Sequence, residues 1–112
     1  MNDNHITYIE FTANDLEAVK RFYNACFNWK FTDYGPTYTA FSGSGVEGGF
    51  ALTEEEIANG ALVVLYHSNL ETVRQKIVDA GGAITREIFS FPGGRRFHFT
   101  DPAGNELAVW SE

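Results

Sequence analysis

A segment of this sequence occurs twice, and the repeat restricts the possible folds more than any other feature. Asn14–Arg21 reads NDLEAVKR and Ser68–Gln75 reads SNLETVRQ, with Leu, Glu, Val and a basic residue at matching places. Both segments open with a capping-box pattern, which predicts that Asn14 and Ser68 cap two helices. A repeat present only twice predicts two paired modules with a cavity between them, because a solenoid needs three or more repeats.

Hydrophobic periodicity predicts the element order βαβββ in both halves. The first half is predicted to hold a strand, a helix and three strands, near His5–Thr12, Asp15–Phe27, Trp29–Asp33, Tyr38–Ser42 and Gly49–Leu52. The second half repeats this order near Ala61–His67, Asn69–Ala80, Ile84–Phe89, Arg95–Thr100 and Glu106–Trp110. The Asp-Pro-Ala-Gly sequence at residues 101–104 has type I turn preferences and predicts a hairpin between the last two strands.

The chain length and charge limit the class of protein. A chain of 112 residues is expected to form one domain, residues 1–112, with module one at about 5–53, a linker at 54–60 and module two at about 61–111. A net charge of −7 argues against a nucleic-acid partner, because phosphate binding needs clustered Lys and Arg. The sequence shows neither a signal-peptide pattern nor an apolar run of about 20 residues, so we expect a cytoplasmic protein without a membrane partner.

Two motifs resemble a known superfamily. Residues 15–23, DLEAVKRFY, followed by Phe27-Asn28-Trp29, resemble the first-helix signature of the vicinal oxygen chelate superfamily, and Asp101–Asn105 resembles its DPxGN turn. The superfamily includes glyoxalases, extradiol dioxygenases and bleomycin-resistance proteins. The resemblance implies an α+β fold in which two βαβββ modules form a curved, barrel-like mixed sheet around a cavity, with the helices outside.

The resemblance also implies where a metal ion would bind. Metal-dependent members hold a divalent ion through four residues, usually His, Gln or Glu, on the first and last strands of each module. The corresponding positions here are Tyr8 and, within a residue or two, Phe50 in module one, and Leu62 and Ala108 in module two. Such side chains do not form a Zn, Fe, Mn or Ni site, so we expect neither a metal nor another cofactor.

Alternation along the strands predicts the residues that face the cavity, because successive side chains point to opposite sides of a sheet. The predicted ligand pocket is mostly apolar and aromatic, as in many small-molecule sites, and consists of Tyr8, Glu10, Phe50, Leu62, Tyr66, His98, Ala108 and Trp110. Glu10 is the candidate general base or ligand anchor. The alternative for Glu10 is a structural carboxylate bound to Arg96, a backbone amide or a partner subunit, since an unpaired carboxylate is costly in such a strand.

Two functions follow from these residues. The first is a metal-free small-molecule-binding protein of the glyoxalase/bleomycin-resistance type, expected to be a homodimer with a cationic or aromatic ligand. The second is a glyoxalase-like lyase or isomerase, either metal-independent with Glu10 as the base or metal-dependent with non-standard ligands. A module whose own side chains close the cavity is a third possibility.

Overall fold

The computed structural model describes residues 1–57, 60–102 and 104–112 of the chain. Residues 58 and 59 of the predicted linker and residue 103 of the predicted turn lie outside the described residues. The chain divides into two compact units: the N-terminal unit, Tyr8–Ala61, and the C-terminal unit, which combines Met1–Thr7 with Leu62–Glu112. The division follows the sequence repeat closely, except that the first residues of the chain belong to the second unit.

The first βαβββ repeat forms the N-terminal unit, except that the start of its first strand, up to Thr7, belongs to the C-terminal unit. Its elements are β1 (Ile6–Ala13), α1 (Leu16–Phe27), β2 (Lys30–Asp33), β3 (Tyr38–Ser42) and β4 (Glu47–Leu52). The strands lie in the order β2-β3-β4-β1, in which β1 and β4 are parallel and the other neighbours are antiparallel.

The second repeat builds the C-terminal unit in the same way. Its elements are β5 (Leu62–Tyr66), α2 (Leu70–Asp79), β6 (Ala83–Phe91), β7 (Gly94–Thr100) and β8 (Glu106–Ser111). The strands lie in the order β5-β8-β7-β6, with β5 and β8 parallel. In the turn before β8, the Gly104 N–H donates to the Asp101 carbonyl at 2.9 Å, which is the closing hydrogen bond of a β-turn.

Both helices begin one residue later than the capping pattern predicts. The caps are Asp15, which accepts from the Ala18 N–H, and Asn69, which accepts from the Thr72 N–H. Asn14 instead donates to the carbonyl oxygens of Thr53 and Glu55 through its side-chain amide. The capping boxes were therefore wrong by one position because Asp and Asn directly precede the first helical residue in each repeat and cap equally well.

Each helix covers one face of the strands in its own unit. In the N-terminal unit, α1 residues Leu16, Val19 and Tyr23 pack against the buried Phe41 and Phe50. In the C-terminal unit, Leu70, Val73 and Ile77 of α2 pack against a core centred on Phe97 and Val109. The side chains that alternate with these core residues point away from the helix, and we call those surfaces the helix-free face of each unit.

The predicted α+β class, with two βαβββ modules and mixed strand pairing, is confirmed. The single-domain boundaries and the cavity stay predictions. Within the described ranges, no helix has the length and apolar character needed to cross a membrane.

Candidate functional site

Phe50 lies on the opposite face of its strand from the one predicted. β4 pairs with β1 so that Gly49 lies opposite Glu10 and Phe50 lies opposite Phe11. Phe50 therefore shares the helix-covered face, where its ring lies 5.4 Å from that of Tyr23 and only 4% of the residue is exposed. On that side it also borders an open groove of about 470 Å³. The assignment of Phe50 to the helix-free face was wrong because the strand register depends on the Gly-rich segment before β4.

A chain of three polar side chains occupies the helix-free face of the N-terminal unit. The hydroxyl groups of Tyr8 and Tyr38 are 2.6 Å apart, and the Tyr38 hydroxyl donates to Glu10 Oε1 at 3.1 Å. Gly49 makes room for this arrangement, because a Cβ there would lie 2.5 Å from the Tyr38 hydroxyl oxygen. The structure thus brings Tyr8 and Glu10 together, as the sequence predicts, and adds Tyr38, which the sequence analysis missed.

Tyr38 is the hydrogen-bond donor to Glu10 in this chain of polar groups. Burial, reinforced by the negative charge of Glu10, raises the pKa of its hydroxyl far above the ordinary range. The hydroxyl therefore stays protonated at any physiological pH and donates to the Glu10 carboxylate. This contact gives Glu10 a positioned hydrogen-bond partner on a neighbouring strand.

Removing that hydroxyl tests the strength of the polar chain. Tyr38→Phe is expected to lower the free energy of unfolding by about 1–2 kcal/mol, because Tyr8 and Glu10 lose a shared partner at a part-buried site. Urea denaturation measures the change. The matched control is Tyr34→Phe, since Tyr34 is 65% exposed. Equal losses in the two variants would contradict a specific role for the Tyr38 hydroxyl.

His98 is the most unusual polar residue of the C-terminal unit. Its Nδ1 lies 3.4 Å from Glu106 Oε2, and the Thr85 hydroxyl donates to the same oxygen at 3.1 Å. In a neutral ring this carboxylate favours the proton on Nδ1, so Nε2 presents its lone pair. Among the described residues, the buried Nε2 has no hydrogen-bond partner.

The surroundings of His98 keep the ring neutral. Burial lowers the pKa of His98 below its ordinary value, and the charge of Arg96 lowers it further, while Glu106 acts in the opposite direction. Imidazole is therefore the form present at neutral pH. A neutral imidazole backed by a carboxylate can accept a hydrogen bond or a proton from a molecule placed at Nε2.

Aromatic side chains extend this face from His98 towards the start of β7. The Tyr66 and Trp110 rings are 5.2 Å apart in an edge-to-face arrangement, and Phe91 lies 6.5 Å from Trp110. Two polar groups are already bonded: the Tyr66 hydroxyl donates to Glu112 at 2.7 Å and the Trp110 Nε1–H donates to Thr7 at 3.0 Å. Tyr66 and Trp110 therefore present ring surface more than hydrogen-bonding groups.

The residues at the expected metal positions do not fit a metal ion. In the C-terminal unit, Leu62 and Ala108 offer only hydrocarbon, and Ala108 is completely buried against its strand neighbours. In the N-terminal unit, the Tyr8 phenol is engaged by Tyr38, and Glu47, which lies opposite Tyr8 on β4, is exposed. In the part of the chain that the structure describes, no group of three or more His, Cys, Asp and Glu side chains could hold a metal ion.

The fold has counterparts among solved structures. A methylmalonyl-CoA epimerase of Streptomyces coelicolor in complex with 2-nitronate-propionyl-CoA is 14% identical, covers 99% of both chains and has a TM-score of 0.71. The Mn(II)-bound glyoxalase of Novosphingobium aromaticivorans is 21% identical with a TM-score of 0.71, and the match covers 97% of this chain but 39% of the glyoxalase. At these identities the likeness concerns the fold alone.

A third solved structure carries a family name. It is a glyoxalase/bleomycin resistance protein/dioxygenase superfamily member from Vibrio splendidus 12B01, 14% identical over 96% of this chain and 98% of that one, with a TM-score of 0.70. No curated protein sequence is significantly similar to this chain. The family model, in contrast, matches residues 4–109. The chain therefore belongs to the Glyoxalase/Bleomycin resistance protein/Dioxygenase superfamily.

Proposed function

We propose that this protein binds a small organic molecule and does so without a metal ion. The observation that carries the proposal is the lack of metal-binding groups at Leu62 and Ala108, on a face that holds a partly buried, neutral His98 whose Nε2 atom is buried. A scaffold that had become merely structural would be expected to fill such a face with apolar side chains, because a buried polar atom without a partner is costly.

Binding without chemical change is the preferred form of this proposal. Glu10, the candidate base, accepts a hydrogen bond from a Tyr38 hydroxyl that stays protonated. The carboxylate of Glu10 is thereby held in place by a part-buried hydrogen bond. Its contact with Tyr38 supports a positioning or anchoring role for Glu10.

Similar proteins support a small organic ligand. The Streptomyces coelicolor epimerase structures contain 2-nitronate-propionyl-CoA, and another epimerase structure contains methylmalonyl-CoA. The shared fold can therefore accommodate CoA derivatives of small organic acids. The aromatic rings of Tyr66, Phe91 and Trp110 favour a ligand with flat or apolar parts.

The expected homodimer stays a prediction, which sedimentation velocity tests.

Metal removal tests the metal-free part of the proposal. Adding EDTA, or Mn²⁺, Ni²⁺ or Zn²⁺, is expected to leave the thermal unfolding midpoint within about 1 °C of its starting value. A ligand present at 100 times its dissociation constant stabilises a protein by about 2.7 kcal/mol, which shifts the midpoint of a small domain by several degrees. A shift of that size with one metal, reversed by EDTA, would contradict the proposal.

A further inference from the structure

The strand next to His98 is irregular at the point where it passes the imidazole. β6 pairs with β7 through Ile84–Phe99, Arg86–His98 and Phe89–Arg96, with a register shift before and after Arg86. Regular alternation would place Arg86 on the helix-covered face with Ile84 and Ile88, which pack in the core. The two shifts turn Arg86 to the face of His98 instead. Such bulges commonly redirect a side chain beside a functional site.

The redirected arginine has few contacts of its own. Its guanidinium carbon lies 3.7 Å from the centroid of the Phe89 ring, and the Phe89 ring lies 5.9 Å from the His98 ring. No hydrogen bond or ion pair of Arg86 is found within the described ranges, and the residue is exposed. Arg86 thus presents a positive charge next to an aromatic ring and a neutral imidazole, in a protein with a net charge of −7.

The hydrogen bonds around His98 leave a defined acceptor. The first register shift leaves Thr85 without a paired residue on β7, and its hydroxyl donates to Glu106 Oε2. The same oxygen lies 3.4 Å from His98 Nδ1, so Nε2, the other ring nitrogen, carries the lone pair that can accept a hydrogen bond. Because Nε2 is buried without a partner among the described residues, its desolvation is offset only when a molecule with an O–H or N–H group reaches it.

We propose that Arg86, Phe89 and His98 form a binding site for a small aromatic acid that carries a hydroxyl group. The carboxylate of the ligand pairs with Arg86, its ring packs on Phe89 and the neighbouring Phe91, and its hydroxyl donates to His98 Nε2. The inference rests on the proposed metal-free binding function and names the ligand class and the side chains that select it. Of the expected cationic or aromatic ligand, it keeps the aromatic character and makes the charge negative.

The arrangement of Arg86, Phe89 and His98 suits a ligand with a single substituted ring. Arg86 and His98 lie at paired positions of adjacent strands, and both lie close to the ring of Phe89. A carboxylate can pair with a guanidinium group through two parallel hydrogen bonds, and a flat ring can pack beside an aromatic side chain. β6 is the last strand in the order of its unit, so Phe89 has no further strand beside it and can rotate to admit the ligand.

Binding is expected to depend on pH through His98. The charged groups that face the imidazole are Arg86 from β6, Arg96 from β7 and Glu106 from β8. Nε2 accepts a hydrogen bond only while the ring is neutral. Because burial lowers the pKa of His98, affinity should be constant at neutral pH and weaken only as the pH falls below about 6.5, the ordinary His value.

Titration with 4-hydroxybenzoate tests the site. NMR of the full-length protein should show saturable shifts of the His98 ring nitrogens and of the Arg86 side chain. Benzoate, which lacks the hydroxyl donor, should bind about tenfold more weakly than 4-hydroxybenzoate. The affinity for 4-hydroxybenzyl alcohol, which lacks the negative charge, should be reduced to a similar extent. Arg86→Gln and His98→Phe should each reduce affinity for 4-hydroxybenzoate about tenfold.

Control variants separate recognition from misfolding. Arg74→Gln removes a positive charge from α2, where Arg74 pairs with Glu87, and should leave binding unchanged. If His98→Phe fails to fold, Arg86→Gln still tests the site because Arg86 is exposed. Absence of shifts at His98, equal affinity for benzoate, or equal effects of Arg74→Gln and Arg86→Gln would overturn the inference. Stoichiometric metal in the same sample would overturn the proposed function instead, so the two failures are distinguishable.

Discussion

Replacing Phe97 with alanine is expected to lower the free energy of unfolding by about 4 kcal/mol. Phe97 is completely buried at the centre of the C-terminal core, where Leu70 and Val109 pack with it. Truncation removes most of a benzyl group and leaves a cavity that these neighbours can only partly fill. Since small domains are stable by about 5–15 kcal/mol, such a loss would leave the variant marginally folded.

The matched control for this variant is Phe22→Ala. Phe22 lies on α1 and is 55% exposed, so the same chemical change should cost less than about 1 kcal/mol. Guanidinium denaturation, followed by intrinsic fluorescence, measures both values. If Phe97→Ala proved no more harmful than Phe22→Ala, Phe97 would not be a core residue, and the face assigned to its neighbour His98 would be wrong as well.

Gly48→Ala is expected to destabilise the N-terminal unit by about 3 kcal/mol. A Cβ at this position would overlap the ring of Phe41 and the backbone carbonyl oxygen of Ile9. The carbonyl belongs to β1, which pairs with β4 at this point, so the backbone has to move to relieve the overlap. The paired strand segment also carries Glu10, so the polar chain with Tyr38 should be disturbed together with stability.

Gly93→Ala provides a contrast for this substitution. The nearest atom to a Cβ at Gly93 is the edge of the Phe91 ring, a side chain that can rotate away. The expected cost is below about 1 kcal/mol. Similar losses of unfolding free energy in Gly48→Ala and Gly93→Ala would contradict the close approach of β1 and β4 at Gly48.

The sequence predicts the local structure of this protein well because its two repeats carry strong periodic signals. Apolar residues such as Val19 and Tyr23 in α1, or Val73 and Ile77 in α2, recur at helical spacing and do pack on their strands. The assignment of His98 to the helix-free face follows from its alternation with the buried Phe97. Within a regular strand such as β7, the alternation of side chains alone is enough to assign a residue to one face of the sheet.

The remaining features depend on strand register, which local sequence does not determine. Phe50 was assigned to the wrong face because the Gly-rich segment Gly43–Gly49 has no alternating apolar pattern that marks where β4 begins to pair with β1. Tyr38 becomes part of the polar chain only because β3 places its hydroxyl above Gly49. Arg86 reaches the face of His98 through two register shifts, for which neither repeat carries a marker in its sequence.

In the proposed metal-free function, the chain keeps the superfamily fold, but Leu62 and Ala108 occupy two positions where the resemblance implies metal ligands. Both side chains are hydrocarbon, and the polar side chains of the candidate site lie at other positions. Glu10 with Tyr38 lies on β1 and β3, and His98 with Glu106 lies on β7 and β8. In the proposed function, hydrogen bonds and aromatic contacts select the ligand in place of chelation.

Elemental analysis of protein purified without chelators tests this central claim most directly. Mass spectrometry of the metal content after gel filtration should find Mn, Fe, Ni and Zn each far below one atom per chain. The same measurement after incubation with these metals and desalting should give the same result. One tightly held divalent ion per chain would contradict the account, because Leu62 and Ala108 have no atoms with which to bind it.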